Sequence, residues 1–349
     1  MGHPGRVRDT GLLGMLERGL LRIREVTVET LYICGEADIS RDDSTILVKT
    51  GGRKRRFPIE TVRHVVVTSD GTLTTRFLSL CGKHGVRVSF FDYYGWYKGA
   101  FEPVANIGSG EVKVRQAQLV LDERRRLAVA REIVRSALDN IIENLRYYAY
   151  RGNDTLKTAI GEVSGYRSRL PSALSTEMLM GYEGMARRCY YEVWGRIDER
   201  LGFAPRVKRP PNNRINCLIS FMNGLAYSAV RHEIAKTHLD ETLSVLHAPS
   251  AARSSLSLDL SEPFKPVVVD RQIFSMVRKG MVQDEWFDEK DGVCILTEPG
   301  RRAAVERFAA NLDNGEAGDS LRMLMRKEAI KLQRHVFGAE EYTAFRRRT

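Results

Sequence analysis

The pattern of apolar and polar positions changes once along the chain. Short runs rich in β-branched and aromatic residues begin at Thr30, and Gly51 and Gly52 separate two of them as a hairpin turn would. Five runs are typical of strands: residues 45–50, 53–59, 62–68, 86–92 and 96–101. Residues 74–84 instead show helical spacing and stop at Gly85, a residue type that favours the end of a helix. This part of the chain is predicted to be β-rich with one helix.

After a glycine-bearing seam at residues 108–110, apolar residues recur every three or four positions, the period of an amphipathic helix. Five segments carry this period: residues 114–130, 131–149, 176–197, 215–234 and 320–337. The sequence therefore predicts an α+β protein with an N-terminal extension at 1–26, a small β-rich domain at 27–108 and a large all-helical domain at 109–349. One short helix is expected near residues 12–21 of the extension.

Charge narrows the class of partner. The 349 residues include 55 lysines and arginines against 44 aspartates and glutamates, which gives a formal net charge of +11. Such a surplus favours a polyanion, because phosphates that bind protein cations release their counterions. The alternative is a basic enzyme or a ribosome-associated scaffold.

Cysteine spacing and hydropathy indicate the compartment. The five cysteines are widely spaced and form no CxxC pair, so neither a disulfide framework nor a cysteine zinc site is expected. The apolar stretch near residues 12–21 is interrupted by Glu17, Arg18 and Gly19, and it is too short and too charged for a signal segment. We therefore expect a cytoplasmic protein with no membrane segment.

Glu183 is the first candidate for chemistry. Three large apolar residues lie within about 40° of it around the axis of the predicted helix: Leu179, Tyr190 and Trp194. A carboxylate on an apolar stripe is costly unless a cation meets it there. The alternative is an ordinary ion pair with Arg187, which lies one helical turn away on nearly the same face.

One histidine and two further acids follow later in the chain. His247 lies just beyond a helix-like segment, where a structural hydrogen bond is the alternative to a ligand role. Residues 255–261 alternate with period two, and a strand would put Asp259 and Glu262 on opposite faces. A helix would put them on one face, and only the helix gives a paired-carboxylate site.

This set of residue types suits a hard metal ion. A histidine with two or three carboxylates favours Mg²⁺ or Mn²⁺ over Zn²⁺. Such an ion polarises a scissile phosphate and stabilises charge on the attacking and leaving oxygens. Because the chain has 44 acidic residues, spacing alone does not single out this set.

The order and the amino-acid sequences of four segments are more specific than the spacing of single residues. They read GYEGMA at 181–186, RPPNNRINCLIS at 209–220, LH at 246–247 and DLSEPFKP at 259–266. Together they resemble the CRISPR-associated adaptation integrase family, the Cas-one family, whose members insert new spacers into a CRISPR array. The runs at 30–33, 57–59, 65–68 and 86–91 also resemble the β-domain of that family, and RQAQ at 115–118 resembles the start of its helical domain. The likeness extends over about residues 28–340.

The resemblance implies a metal-dependent DNA endonuclease and integrase. It places the metal ligands on Glu183, His247 and Glu262, with Asp259 as an accessory acidic residue and Mg²⁺ or Mn²⁺ as the ion. It further implies that the 3′-hydroxyl of a captured duplex fragment attacks a phosphodiester of the array. The implied partners are double-stranded DNA, a second copy of the chain, and a small ferredoxin-like second adaptation subunit of the Cas-two family.

Three positions depart from the pattern of the family. Ser244 stands where a glycine is usual, Lys265 stands where an arginine is usual, and Ala137 lies near the position of a common lysine. The predicted ligands are intact, so the departures bear on the path of the DNA rather than on the metal site.

A basic loop at 206–214 is the candidate DNA contact. It holds four cations and no acid: Arg206, Lys208, Arg209 and Arg214. Its prolines keep it extended, so the cations could follow phosphates, and the alternative is a solvated charged face. Asn216 begins the next helix and is either its N-cap or a site residue that orients a ligand or phosphate.

Two other functions compete with the integrase. The same metal site would let a general repair or junction-resolving nuclease cut branched DNA without a dedicated partner. A non-catalytic, basic DNA-binding scaffold would need only the ion pair between Glu183 and Arg187. The intact set of Glu183, His247, Asp259 and Glu262 argues against the scaffold, which would not need it.

Overall fold

The computed structural model describes residues 20–21, 29–104, 108–203, 205–248, 254–313, 315–316 and 319–347. The described residues form two compact units. The first unit lies within Met1–Tyr93 and Lys98–Ala105, and the second lies within Tyr94–Tyr97 and Asn106–Thr349. The predicted extension at 1–26 lies outside the described residues except for Leu20–Leu21. No helix in the described part of the chain is both long and apolar enough to cross a membrane.

In the part of the chain that the structure describes, the β-rich region contains one α-helix, α1 (Thr75–Lys83), and nine strands. In chain order the strands are β1 (Leu20–Leu21), β2 (Thr30–Ile33), β3 (Ala37–Asp42), β4 (Thr45–Thr50), β5 (Arg53–Pro58), β6 (His64–Val67), β7 (Gly71–Leu73), β8 (Arg87–Phe91) and β9 (Tyr97–Phe101). A five-stranded sheet has the order β1-β2-β6-β8-β9, and a four-stranded sheet has the order β5-β4-β3-β7. One buried core takes its side chains from both sheets and from α1.

Local sequence signals account for the predicted hairpin and helix. Gly51 and Gly52 have φ values of 54° and 75° and join the antiparallel strands β4 and β5, so both turn positions favour glycine. The hydroxyl of Thr74 accepts a hydrogen bond from the amide of Phe77 and caps α1, and Gly85 follows the helix at φ 67°. Both predictions are confirmed.

Pairing between distant segments corrects one prediction and adds one strand. Leu20–Leu21 form β1, antiparallel to β2, so a helix over 12–21 is wrong for these two residues. Gly71 begins β7, a short strand that the apolar pattern did not predict and that runs parallel to β3. A Cβ at Gly71 would lie 2.3 Å from the carbonyl oxygen of Ala37, so glycine permits this close approach.

The second unit is built mainly from ten helices of the described chain. They are α2 (Gly110–Leu121), α3 (Glu123–Ala149), α4 (Lys157–Arg169), α5 (Thr176–Glu192), α6 (Trp194–Ile197), α7 (Arg214–Ile234), α8 (Ser255–Ser261), α9 (Arg271–Arg278), α10 (Glu298–Asp313) and α11 (Leu321–Val336). A π-helical turn at Pro266–Asp270 precedes α9. Two antiparallel pairs accompany the helices: β10 (Phe287–Lys290) with β11 (Val293–Leu296), and β12 (Gly315–Glu316) with β13 (Asp319–Ser320). The α+β fold class is confirmed, with these strands as an addition to the helical region.

Helix ends differ from the periodic pattern where a cap intervenes. The break predicted near residue 130 lies at Asp122, whose carboxylate accepts a hydrogen bond from the amide of Arg125 and caps α3. The helix predicted over 176–197 ends at Glu192, because Val193 has φ −100° and ψ 2° and leaves the helical conformation. The ambiguous segment 255–261 is the helix α8.

Aromatic packing fixes the C-terminal end of α5. Trp194 is fully buried, and the centroid of its ring lies 4.6 Å from that of Phe274 on α9 and 5.6 Å from that of Tyr190 on α5. Edge-to-face contacts of this kind add stability beyond the buried area. They hold α5 against α9 and so determine where Glu183 and Arg187 project.

Candidate functional site

The site residues come from three stretches of the second unit. Glu183 lies on α5, His247 lies in the loop that precedes α8, Asp259 lies on α8, and Glu262 is the C-cap of that helix. Because 255–261 is helical, Asp259 and Glu262 are one turn apart, as a paired-carboxylate site requires.

A single guanidinium joins the two glutamates. Arg187 Nε donates a hydrogen bond to Glu183 Oε1, and Arg187 Nη2 donates one to Glu262 Oε2 at 2.5 Å. The side chains of Arg187, Glu183 and Glu262 are 12%, 18% and 8% exposed. The sequence left open an i,i+4 pair between Glu183 and Arg187, and that pair is present. The contact from Arg187 to Glu262 had no signal in the sequence, because the two residues lie on different elements.

Lys265 supplies a second cation. Its ammonium donates to Glu262 Oε1 at 2.5 Å and lies over the ring of Tyr227, 4.8 Å from the centroid. Burial would raise the pKa of Glu262, but Lys265 and Arg187 outweigh it and lower that pKa to about 2. Burial would lower the pKa of Lys265, and Glu262 instead raises it. Glu262 is therefore ionised at neutral pH and pairs with both cations.

Asp259 has a different set of partners. It is fully buried, and its Oδ2 accepts hydrogen bonds from the amides of Val245 and Leu246 at 2.7 and 2.8 Å. Its Oδ1 accepts from the amide of His247 at 3.1 Å and lies 2.7 Å from Nδ1 of the same residue. Four donors thus converge on one carboxylate and fix the loop that carries His247.

The tautomer of His247 follows from this arrangement. An ionised carboxylate can only accept, so Nδ1 carries the proton and Nε2 of the neutral ring keeps its lone pair. The His247 side chain is 20% exposed, which leaves the ring accessible. Ser244, which stands where a glycine is usual in the resembling family, donates to the carbonyl of His247 at 2.7 Å and braces the same loop.

The donor types suit a hard divalent ion, but the donors are not grouped as a metal site requires. Two carboxylates and an imidazole nitrogen are ligands that Mg²⁺ and Mn²⁺ accept. Among the described residues, however, no three His, Cys, Asp or Glu side chains lie together as a metal-binding group. The Glu183 and Glu262 oxygens face Arg187 instead.

The cations of the basic loop divide into two kinds. Arg206 is turned inward, where Nη1 donates to Asn216 Oδ1 at 3.0 Å and Nη2 donates to the hydroxyl of Ser220 at 2.9 Å. Arg214 forms ion pairs with Asp284 and Glu289. Contact between these two arginines and DNA stays a prediction, because their guanidinium groups already have internal partners.

Lys208 and Arg209 are the exposed cations of the loop. Arg209 lies over the ring of Trp96, 5.5 Å from the centroid. Burial, Lys265 and Arg206 lower the pKa of Lys208, whereas Glu183 and Glu262 act to raise it. Glu183 and Glu262 are thus among the charges that act on Lys208.

Asn216 is not the N-cap of its helix. Asn213 caps α7 by accepting the amide proton of Asn216 at 2.8 Å. The side chain of Asn216 is fully buried and donates to Asn212 Oδ1 at 2.8 Å. The N-cap interpretation is wrong by three residues, because α7 begins at Arg214, earlier than the apolar pattern predicted.

Asp270 is a buried acid that the sequence analysis missed. It ends the π-helical turn, is 1% exposed, and its Oδ2 has no hydrogen-bond partner among the described residues. Burial raises the pKa of Asp270 to about 7, although Arg187 and a hydrogen bond with Tyr190 lower it. Its signal in the sequence was an acid directly after three valines, a position too apolar for a solvated carboxylate.

The family model described as "CRISPR associated protein Cas1" matches residues 31–310. The CRISPR-associated endonuclease Cas1 of Fusobacterium nucleatum subsp. nucleatum is 38% identical over 324 residues, which cover 90% of this chain and 96% of that protein. The CRISPR-associated endonuclease Cas1 2 of Thermodesulfovibrio yellowstonii is 35% identical over 326 residues, which cover 91% and 98% of the two chains.

Solved structures agree with these matches. A CAS1 protein from Thermotoga maritima superposes with a TM-score of 0.82 at 30% identity and covers 91% of this chain and all of that chain. A casposase bound to integration product shares the fold, with a TM-score of 0.79 at 18% identity and coverage of 91% and 93%. The resemblance seen in the four sequence segments is therefore confirmed, and the chain belongs to the Cas1 family of CRISPR-associated proteins.

Proposed function

We propose that the chain is a metal-dependent DNA endonuclease and integrase that inserts fragments of foreign DNA into a CRISPR array during spacer acquisition. One observation supports this most strongly. Two glutamates from separate elements share the guanidinium of Arg187, and Glu262 lies one helical turn from the aspartate that fixes the tautomer of His247, in a chain whose relatives are named CRISPR-associated endonucleases.

The proposed reaction is a transesterification. The 3′-hydroxyl oxygen of the fragment loses its proton, attacks a phosphorus of the array strand and forms a new P–O bond. The P–O bond to the 3′ oxygen of the neighbouring array nucleotide breaks, and the released oxygen takes up a proton. One phosphodiester replaces another, so the step needs no nucleotide hydrolysis.

The residues of the chain supply positioning and charge. Asp259 holds the proton of His247 on Nδ1 and leaves Nε2 as the nitrogen that can act at the site. Lys265 and Lys208 place positive charge beside Glu183 and Glu262, where a scissile phosphate would need neutralisation. Glu183, His247 and Glu262 would hold the divalent ion, with Asp259 as the group that orients His247.

The proposed cofactor is Mg²⁺ or Mn²⁺. When bound, such an ion polarises the scissile phosphate and stabilises the charge on the attacking and leaving oxygens. The present arrangement of Glu183 and Glu262 around Arg187 means that the ligands must turn before they can bind it.

The proposed partners are double-stranded DNA, a second copy of the chain, and a small second adaptation subunit. Structures that share this fold are described as a Cas6-RT-Cas1–Cas2 complex and as a casposase bound to integration product, and these descriptions support such partners. A cytoplasmic location is part of the proposal, since the protein must reach such DNA.

The test is strand joining by the purified protein, with and without the second subunit. A duplex with 3′-hydroxyl ends is incubated with a supercoiled array plasmid in Mg²⁺, Mn²⁺ or EDTA. We expect joined product only with a metal, and none from a fragment with dideoxy ends. Cleavage of branched DNA without any joining, and without need of the second subunit, would instead support a repair nuclease.

The matched variants lie on one helix. Glu183→Gln removes the charge of a predicted ligand, and Glu192→Gln makes the same change at an exposed position of α5 that pairs with Arg188. We expect joining to be lost in the first variant and retained in the second. Joining by a folded Glu183→Gln protein would contradict the proposed site.

A further inference from the structure

Arg187 occupies the space between the two carboxylates that the proposed function assigns to a metal. It donates to one oxygen of Glu183 and to one oxygen of Glu262, and its side chain is 12% exposed. A guanidinium in this position balances the charge of both acids while no divalent ion is bound. It also takes the oxygens that such an ion would need.

A divalent ion and Arg187 cannot share this site at low cost. Arg187 and Lys265 already carry two positive charges against the two of Glu183 and Glu262. A further double charge would leave the cluster strongly positive in surroundings that are largely closed to water, where like charges repel strongly. Of the two acids, Lys265 pairs with Glu262, whereas Arg187 pairs with both, so the departure of Arg187 is the change that frees an oxygen on each acid.

Asp270 provides an acceptor for the displaced guanidinium. A buried guanidinium that loses its partners is costly unless another acceptor lies nearby. Asp270 is 1% exposed, its Oδ2 lacks a hydrogen-bond partner within the described chain, and Arg187 is among the charges that act on it. It lies at the end of the π-helical turn, on the chain that continues from Glu262 and Lys265.

We propose that Arg187 is the resident counter-cation of Glu183 and Glu262, that a divalent ion must displace it from both acids, and that Asp270 receives it. The inference rests on the proposed metal-dependent function. Arg187 is thus a positioning residue: it holds the ligands in the metal-free protein and sets how tightly the site binds the ion.

The first test compares Arg187→Met with Arg188→Met in the full chain. Met keeps an apolar stem of similar length without the charge, and Arg188 is an exposed neighbour that pairs with Glu192. Mn²⁺ affinity is measured by isothermal titration calorimetry without DNA, together with the melting temperature in EDTA and in Mn²⁺. Because a competing cation is removed, we expect Arg187→Met to bind Mn²⁺ at least about tenfold more tightly, and Arg188→Met to match the wild type.

Arg187→Lys is a second variant that keeps the test valid if Arg187→Met does not fold. A lysine one turn after Glu183 can pair with one acid, but it cannot bridge both as a planar guanidinium does. We expect its Mn²⁺ affinity to lie between those of the wild type and Arg187→Met.

A double-mutant cycle tests the role of Asp270. If Asp270 accepts the displaced guanidinium, Asp270→Asn weakens Mn²⁺ binding when Arg187 is present and has a much smaller effect in the Arg187→Met protein. An equal loss in both backgrounds would mean that Asp270 acts only through space, and its assignment as the acceptor would be wrong.

The outcomes separate the inference from the proposed function. Unchanged or weaker Mn²⁺ affinity in folded Arg187→Met and Arg187→Lys, with binding lost in Glu183→Gln, overturns the displacement of Arg187 and leaves the metal site intact. Failure of the wild type and of Arg187→Met to bind either Mn²⁺ or Mg²⁺ overturns both.

Discussion

Asp259 and Glu262 are buried acids one helical turn apart, yet their partners differ in kind. The Asp259 region uses three backbone amides and the ring of His247, all fixed by the path of the loop. The Glu262 region uses two long side chains, Arg187 and Lys265, which can rotate away. The contrast shows how one short helix and its C-cap can carry both a carboxylate fixed by backbone amides and one whose partners can rotate away.

The largest effect is expected at the exchangeable acid. Glu262→Gln removes a charge that the proposed ion needs, so strand joining should fall by more than about 100-fold, beyond the usual loss from an outer-sphere change. The Mn²⁺-dependent rise in melting temperature should disappear as well. Glu192→Gln, an equal change on the exposed face of α5, should keep both. Retained joining in a folded Glu262→Gln protein would contradict its role as a ligand.

Asp259, the carboxylate held by the loop, should affect stability as well as strand joining when it is changed. Asp259→Asn presents an amide to four donors, so it leaves at least one donor unpaired and no longer holds the His247 proton on Nδ1. We expect a loss of about 1–3 kcal/mol in the free energy of unfolding, measured in urea. Joining should fall by about 10- to 100-fold. Ser257→Ala on the same helix is the control, and an unchanged stability of Asp259→Asn would show that the four contacts are not important for the loop.

A Lys265 variant tests the pairing of Glu262 through the pH dependence of stability. The pKa of Glu262 is lowered from 4.5 to about 2, so its pairing stabilises the fold above pH 4.5 and that stability is lost as the pH falls toward 2. Lys265→Met should therefore reduce stability by about 3 kcal/mol at pH 7, and the difference from wild type should shrink as the pH falls below 4.5. Thermal unfolding in EDTA measures it. Lys265→Arg keeps the charge and should follow the wild type; a pH-independent difference would point to packing instead.

Asp270 should show the opposite pH dependence. Burial raises its pKa from 3.8 to about 7, so the folded protein holds the proton more tightly than the unfolded chain does. Its contribution is greatest below pH 3.8 and declines as the pH rises to about 7. Asp270→Asn should therefore gain on the wild type by a few kcal/mol between pH 4 and pH 8 in EDTA, since a pKa change of one unit is worth about 1.4 kcal/mol. A constant difference across this range would mean that Asp270 is ionised throughout.

The smallest effect concerns the basic loop. Lys208 and Arg209 are exposed, whereas Arg214 is held by Asp284 and Glu289. Each lost phosphate contact lowers the slope of log affinity against log salt by about 0.9 on duplex DNA. We expect Lys208→Gln with Arg209→Gln to reduce the slope in anisotropy titrations, and Arg214→Gln to change it less. The reverse order would show that Arg214 leaves its ion pairs on binding DNA.

Local sequence signals were sufficient for several elements because they act over a few residues. The two glycines of the β4–β5 turn and Gly85 act through backbone conformation, and Thr74 acts through a hydrogen bond to an amide three residues away. The sequence motifs around Glu183, His247 and Glu262 were also enough to identify the family, which the comparisons confirm.

The polar–apolar pattern could not predict α8, because this helix is buried on every side. Six of its seven residues are buried, including Ser255, Ser257 and Asp259, so polarity does not follow exposure and the period-two alternation carries no information about a strand. Only packing against the rest of the helical unit decides that this segment is a helix, and with it that Asp259 and Glu262 share a face.

The sequence by itself determined the fold class, the family and the candidate ligands, since these depend on residue type, order and short-range periodicity. Only the tertiary structure decided that Arg187 joins Glu183 to Glu262 and that Asp259 fixes the tautomer of His247. It also decided that Asp270 is buried with an oxygen that has no partner among the described residues. The reason is physical. A charged side chain selects its partner from whatever donors and acceptors the packed elements bring within about 3 Å, and that neighbourhood does not exist until the chain has folded.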